Sequence, residues 1–439
     1  MRRFICLFLF GAAFNTSFAL EQPRVASYAG YTRLVFDVPT DAPYRLEALG
    51  AALKVTFSSN SVRPVSLRLT KPEVAGYTLA NAAGSAIAMI ATPQGVSSRR
   101  GFRAQRLEPS AGKAGFRLVV DFSGAYSDIS ALPAVAALKL SKAKGQTPTV
   151  VLDPGHGGTD PGALGNGLLE SNLNLNVAFR VKKWLENSGV RIEMTRTDNR
   201  VFSSNKRSDL NARTEASRGK TAFVSIHANA RPRSLWNSTF GTEVYYFDSV
   251  SRKPWLVAPA PEPQAQGAEP QAISTLDPQL ADTTVLPEIP TEMPTNVALV
   301  PSTPETPVTP NANGFGIWQS LEPQPTLAAA QKPTPVLQQL NQTDASKNLA
   351  ASVLSQMLGA TAASNRGVQV ADYYVIRNAE APAILVEMGF VTHPIEALQL
   401  KNSNYLDRIS YGIALGIVEY IEGLVMPIDA ATATLEGKQ

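Results

Sequence analysis

The chain has 439 residues, 44% of them hydrophobic, which is too long for one ordinary domain and apolar enough to bury a sizeable core. A formal net charge of +4 gives no support for nucleic-acid binding. The single cysteine, Cys6, lies in the first residues, so disulfides take no part in the fold.

In chain order, Arg2 and Arg3 precede an apolar stretch over residues 4–14, and Ser17 and Ala19 supply the small residues of a cleavage site. This reads as an export signal, residues 1–19, because the apolar run falls far short of the ~20 residues that a spanning helix needs. No later stretch is long and apolar enough to span a membrane, so no transmembrane segment is expected after cleavage. Residues 23–125 read as all-β. Apolar and polar side chains alternate over 32–38, 53–57 and 116–122, with Gly, Pro, Asn and Ser clusters between them. A small β-sandwich is expected there. Residues 20–125 carry 13 Lys and Arg against 7 Asp and Glu. That excess suits an anionic wall polymer, and equally an ordinary solvated surface. Residues 126–147 read as a linker.

From Pro148 the pattern changes. Residues 150–152, 190–194, 222–226, 242–247 and 383–387 read as strands. Helical periodicity runs over 170–187, with Leu173, Val177, Val181, Trp184 and Leu185 on one face and Gly189 as the stop. Further helices are expected over 210–218, from Ala345 through Leu349, Val353, Leu354, Met357 and Leu358, and over 405–424. Alternating strands and helices imply an α/β domain with a mainly parallel twisted sheet and helices on both faces. This domain spans 148–425 and is interrupted at 249–344. Between Pro254 and Gln331 there is no Lys or Arg but eight Asp and Glu, amid many Pro, Thr and Ala. Such a segment buries too little apolar surface to fold, and disorder is expected. Residues 426–439 are left as a tail.

The chain has only three histidines. His156 follows the strand at 150–152 in Asp153-Pro154-Gly155-His156-Gly157-Gly158, and His227 follows the strand at 222–226 in Ser225-Ile226-His227-Ala228-Asn229. Both sit at carboxyl ends of strands, the edge where open α/β sheets bind ligands. Glu170 opens the first long helix, where a carboxylate is electrostatically favoured in any case. Glu387 ends a strongly apolar strand, where an unpaired carboxylate is costly. Two His and one Glu are a ligand set for catalytic zinc that leaves a position open for water, with a further carboxylate as general base. The spacing alone also fits two hydrogen-bonded histidines with two capping or paired acids.

The motif contexts narrow this choice. Residues 150–163, beginning Val150-Val151-Leu152-Asp153-Pro154-Gly155-His156, resemble the opening motif of the zinc N-acetylmuramoyl-L-alanine amidases of the Amidase_3 family. Ser225-Ile226-His227-Ala228-Asn229-Ala230 resembles the second histidine motif of that family. Asn365-Arg366-Gly367-Val368 and Ala383-Ile384-Leu385-Val386-Glu387-Met388-Gly389-Phe390 resemble its late motifs, in the same order. The resemblance implies Zn2+ as cofactor, with His156, Glu170 and His227 as its ligands and Glu387 as the catalytic residue. It implies peptidoglycan as substrate, cut between N-acetylmuramic acid and L-alanine, and a location in the periplasm or cell wall. Arg213 and Arg366 would have structural or substrate-positioning roles. Residues 23–124 are similar to the AMIN domain, which is associated with wall binding and with targeting amidases to division sites. A division-site activator protein would then be a partner. Division-associated relatives carry a helical segment near the position of the 249–344 insertion that blocks the zinc, whereas this insertion lacks an amphipathic helix. Relatives commonly have Asn where this chain has His393, which reads as a surface or capping residue. Two rivals are a catalytically silent wall-binding scaffold or activator and a zinc peptidase on peptide cross-links.

Overall fold

A computed structural model describes residues 19–134, 138–140, 147–249 and 341–425. Residues 1–18 of the expected signal, nearly all of the insertion and the C-terminal tail lie outside the described residues. Among the described residues no helix is long and apolar enough to cross a membrane.

The N-terminal region folds as the expected β-sandwich. One antiparallel sheet has the strand order Phe102–Leu107, Phe116–Phe122, Tyr31–Val38, Arg24–Tyr28. The other runs Tyr44–Ala48, Gly50–Ser58, Ser85–Val96, Gly76–Ala82, Val65–Arg68. Strict alternation in Tyr31–Val38 buries Thr32, Leu34, Phe36 and Val38 on one side. Phe36 meets Phe57 of the second sheet with ring centroids 5.2 Å apart, and both belong to one shared apolar core.

The described part of the segment after the sandwich is tied down rather than loose. Ser127 N donates to Gln399 Oε1 at 2.7 Å, and Asp128 N to Thr361 O at 2.7 Å. The Arg408 guanidinium donates to Ser130 O at 2.7 Å and to Ala131 O at 3.0 Å. Leu138 enters the core of the α/β domain.

That domain is built on a six-stranded sheet in the order Arg191–Met194, Thr149–Pro154, Ala222–Asn229, Ala383–Phe390, Thr242–Tyr246, Asn365–Val370. Every neighbouring pair is parallel except Thr242–Tyr246 against Ala383–Phe390. Side chains alternate between two apolar clusters. Val150, Leu152, Val224, Ile226, Ile384 and Val386 pack in one, while Val151, Phe223 and Leu385 pack in the other. Both faces are therefore covered, as a parallel sheet requires. The helices Glu170–Ser188, Gln342–Thr361 and Ser403–Val425 cover the first face, and Lys206–Glu215 and Tyr374–Arg377 the second.

Several boundaries differ from the expected ones. The helix after the insertion starts at Gln342, because Asn341 caps it by accepting from Asp344 N at 3.0 Å. The helix expected over 210–218 spans Lys206–Glu215, opened by an Asn205 cap on Ser208 N. Its polar first turn has no apolar periodicity to betray it. His227 and Glu387 lie inside their strands rather than at or past the ends.

Helices Gln342–Thr361 and Ser403–Val425 approach to backbone contact at two glycines one turn apart. A Cβ at Gly416 would stand 2.4 Å from Val353 Cα, and one at Gly412 would stand 2.6 Å from Met357 Cα. Alanine favours a helix by roughly 1 kcal/mol over glycine, but overpacking against backbone costs about 1–3 kcal/mol. Gly416→Ala should therefore destabilise the protein on urea unfolding; a midpoint at or above wild type would contradict this close approach.

Candidate metal centre

The second face of the sheet turns polar at its carboxyl edge. Phe223 and Leu385 are followed, two residues on, by Ser225 and then His227, and by Glu387, on the same side. Val151 is likewise followed by Asp153. In the ladder, His227 is opposite Glu387, and Glu387 is opposite Glu243 of the antiparallel strand. Three adjacent strands thus line up an imidazole and two carboxylates.

His156 and Glu170 come from the turn and helix after the first strand of that sheet. His156 has φ +63°, a left-handed backbone unusual for a residue with a Cβ. Gly155 before it faces the His227 ring, where a Cβ would lie 2.1 Å from Cε1. Glu170 is the first residue of its helix and is buried. Its Oε1 stands 2.9 Å from His227 Nδ1 and 3.2 Å from His156 Nε2. The same oxygen accepts from Ala228 N at 3.2 Å, and Oε2 accepts from Ala163 N at 2.7 Å. One potential donor atom from each of His156, Glu170 and His227 lies within 4.8 Å of the others. The three predicted ligands are therefore brought together.

Electrostatics follow from this crowding. Burial alone would raise the Glu170 carboxyl, but its bonds to both histidines hold it well below the usual range. Burial lowers His156, yet its bonds to Asp160 (Nδ1 to Oδ2, 2.9 Å) and to Glu170 prevail and push it up to about 9. Asp160 is itself paired with Lys206 Nζ at 2.5 Å. The Asp160 bond occupies Nδ1 and leaves Nε2 facing Glu170, a carboxylate–histidine arrangement that orients metal-binding rings.

Glu387 is buried, and its Oε2 has no hydrogen-bond partner among the described residues. Burial, then the nearby charges of Glu170 and Glu243, raise its carboxyl well above the ordinary value, with Arg231 opposing.

The region covering residues 150–419 matches the Amidase_3 family model, described as N-acetylmuramoyl-L-alanine amidase. The chain belongs to the Amidase_3 family. It is similar to the N-acetylmuramoyl-L-alanine amidase LytC of Bacillus subtilis, 26% identical over 272 residues, covering 62% of this chain and 35% of LytC. It is also similar to the N-acetylmuramoyl-L-alanine amidase AmiC of Neisseria meningitidis, 28% identical over 286 residues, covering 64% of this chain and 55% of AmiC. It thus spans about a third of LytC and about half of AmiC. A solved N-acetylmuramoyl-L-alanine amidase from Clostridium difficile 630 matches at 22% identity with a TM-score of 0.39, over 63% of this chain and 98% of that one.

Around this Amidase_3 site the remaining predicted residues take supporting places. Arg213 is buried and bonds Asp153 at 2.9 Å, Asp209 at 3.0 Å and His156 O at 2.8 Å, so it holds the turn of His156 from below. Arg366 donates to Glu243 Oε2 at 3.0 Å. Glu243 is a residue that sequence reasoning missed. It is buried, and it also accepts from Asn229 Nδ2 at 2.7 Å. Its signal was the one used for Glu387, a carboxylate within an apolar strand.

His393 caps the helix Pro394–Leu400, with Nδ1 accepting from Ile395 N at 3.2 Å. The capping half of the reading holds, but the surface half does not: the residue is 0% exposed. It packs under Gly30 of the sandwich, where a Cβ would be 3.0 Å from its Cε1, and its ring centroid lies 5.5 Å from that of Phe240. Burial lowers its pKa from 6.5 to about 4. Between these values the folded protein binds fewer protons than the unfolded chain, so stability is lost as pH falls from about 6.5 towards 4, by up to about 3 kcal/mol. His393→Asn keeps a capping side chain without the titration. Its urea stability should change less between pH 7 and pH 4.5 than that of wild type; identical changes would contradict the assignment.

Proposed function

We propose that the chain hydrolyses the amide bond between N-acetylmuramic acid and L-alanine in peptidoglycan, with zinc held by His156, Glu170 and His227. The observation that supports this reading most is the convergence of both imidazoles on one buried Glu170 oxygen, with Glu387, whose Oε2 has no hydrogen-bond partner among the described residues, beside His227 in the ladder. Two nitrogens and one oxygen suit catalytic zinc, which keeps a fourth position open. The spacings around Glu170 Oε1 fit that donor set. A zinc ion there would supply Lewis-acid polarisation of the scissile carbonyl and a lowered water pKa.

The chain's own residues do the rest. Asp160 fixes the His156 ring so that Nε2 turns to the Glu170 oxygen, where a metal would be held between them. Glu387 takes a proton from water as it attacks the lactyl carbonyl, holds that proton on its carboxyl, and gives it to the departing nitrogen of L-alanine. Burial and the neighbouring carboxylates raise its proton affinity, which suits the holding step. The basic excess of the sandwich suits a role in gripping an anionic wall, and substrate of this kind places the working protein outside the cytoplasmic membrane, in periplasm or wall.

Purified sacculi digested with the protein should release stem peptides beginning with free L-alanine, read by mass spectrometry. A chelator should stop release. Glu387→Gln should keep zinc and lose cleavage by at least about 100-fold. Cleaved cross-links instead would favour a zinc peptidase, and absence of any product would favour a wall-binding scaffold. Full activity of the Gln variant would remove Glu387 from the chemistry.

A further inference from the structure

The main chain carrying His156 and the main chain carrying Glu170 are joined by a side chain that belongs to neither. Arg196 follows the edge strand Arg191–Met194 and is 1% exposed. Its hydrogen bonds all go to backbone carbonyls. Nε donates to Pro154 O at 2.8 Å, and Nη1 to Asp198 O at 3.0 Å. Nη2 donates at once to Gly155 O at 2.9 Å and to Ser171 O at 2.8 Å. Gly155 immediately precedes His156, and Ser171 immediately follows Glu170. One nitrogen therefore bridges the residues flanking two of the three ligands.

The surroundings are shaped for this contact. At Gly157 (φ +130°), a Cβ would lie 3.0 Å from Arg196 Nε and 2.3 Å from Arg200 O, so a side chain there would press on the guanidinium. His156 sits in a left-handed conformation that persists only where its neighbours over-determine it. Arg213 holds His156 O and is also committed to Asp153 and Asp209. Arg196 has no such commitment to a carboxylate through its hydrogen bonds, and its fork spans the gap between the two ligand segments. Lysine keeps the charge but cannot reproduce a planar fork of five donors.

We propose that Arg196 is a positioning residue that sets the spacing of His156 and Glu170 before any metal binds. The inference rests on the metal reading above. Its test uses the full chain and zinc itself. The zinc dissociation constant, measured by competition with a chromophoric chelator, should rise about 10- to 100-fold in Arg196→Lys, in protein shown to be folded by circular dichroism. A folded R196K with a constant within twofold of wild type would overturn the proposal. Wild type that binds no zinc would overturn the metal reading itself. Hydrogen exchange in wild type decides the matter without a variant. The amides of Gly155, Gly157 and Ser171, which donate to Ile226 O, Asp160 O and Pro161 O, should be as protected without zinc as with it. Protection that arises only on adding zinc would show that the metal, not Arg196, sets the spacing.

Discussion

Two imidazoles and two main-chain amides meet at the carboxylate of Glu170, and the site exists only because that carboxylate is buried where they converge. His156 Nε2 and His227 Nδ1 approach the same oxygen, while Ala163 N and Ala228 N secure the group from the backbone. A buried carboxylate left without these partners would be strongly unfavourable. With them, it is an anion held where a cation would sit. The helix start supplies the rest, since negative charge is favoured at its first turn.

Everything else in the α/β domain serves to deliver side chains to that point. The parallel sheet brings His227 and Glu387 to equal depth on adjacent strands, and the antiparallel strand adds Glu243 at the same level. Arg366 and Asn229 bind Glu243, so its charge is answered while Glu387 keeps a free oxygen. Two carboxyls a strand apart thus differ: both oxygens of Glu243 are bonded, whereas Glu387 has one that is not, a contrast that supports the chemical role proposed for Glu387.

Much of this was legible from residue order. Strands buried on both faces are continuous apolar runs, and those at 150–152, 222–226 and 383–387 were recognised on that basis. The helix Glu170–Ser188 showed its stripe, and Gly189 stops it at φ +94°. The ends of the strands with His227 and Glu387 were misjudged because an apolar run stops at its first polar residue, although the hydrogen-bonded ladder continues. Arg196 was invisible because its partners are carbonyl oxygens, which every residue type carries. The same holds for the segment after the sandwich, whose anchoring groups include Ser127 N, Asp128 N, Ser130 O and Ala131 O. Composition cannot register a contact in which one partner is the backbone.

That anchoring bears on how the sandwich and the metal centre are held relative to one another. A hydrolase on a slack tether sweeps every bond within a radius of its foothold. Here Gln399 is wedged between Ala125 O and Ser127 N, and Arg99 clasps Gly359 O and Ala360 O at the end of a helix of the other domain. These bonds join the two parts directly, with no slack tether between them. Under the proposed function, a foothold taken by the sandwich would therefore fix the offset and the angle at which the metal centre meets its substrate.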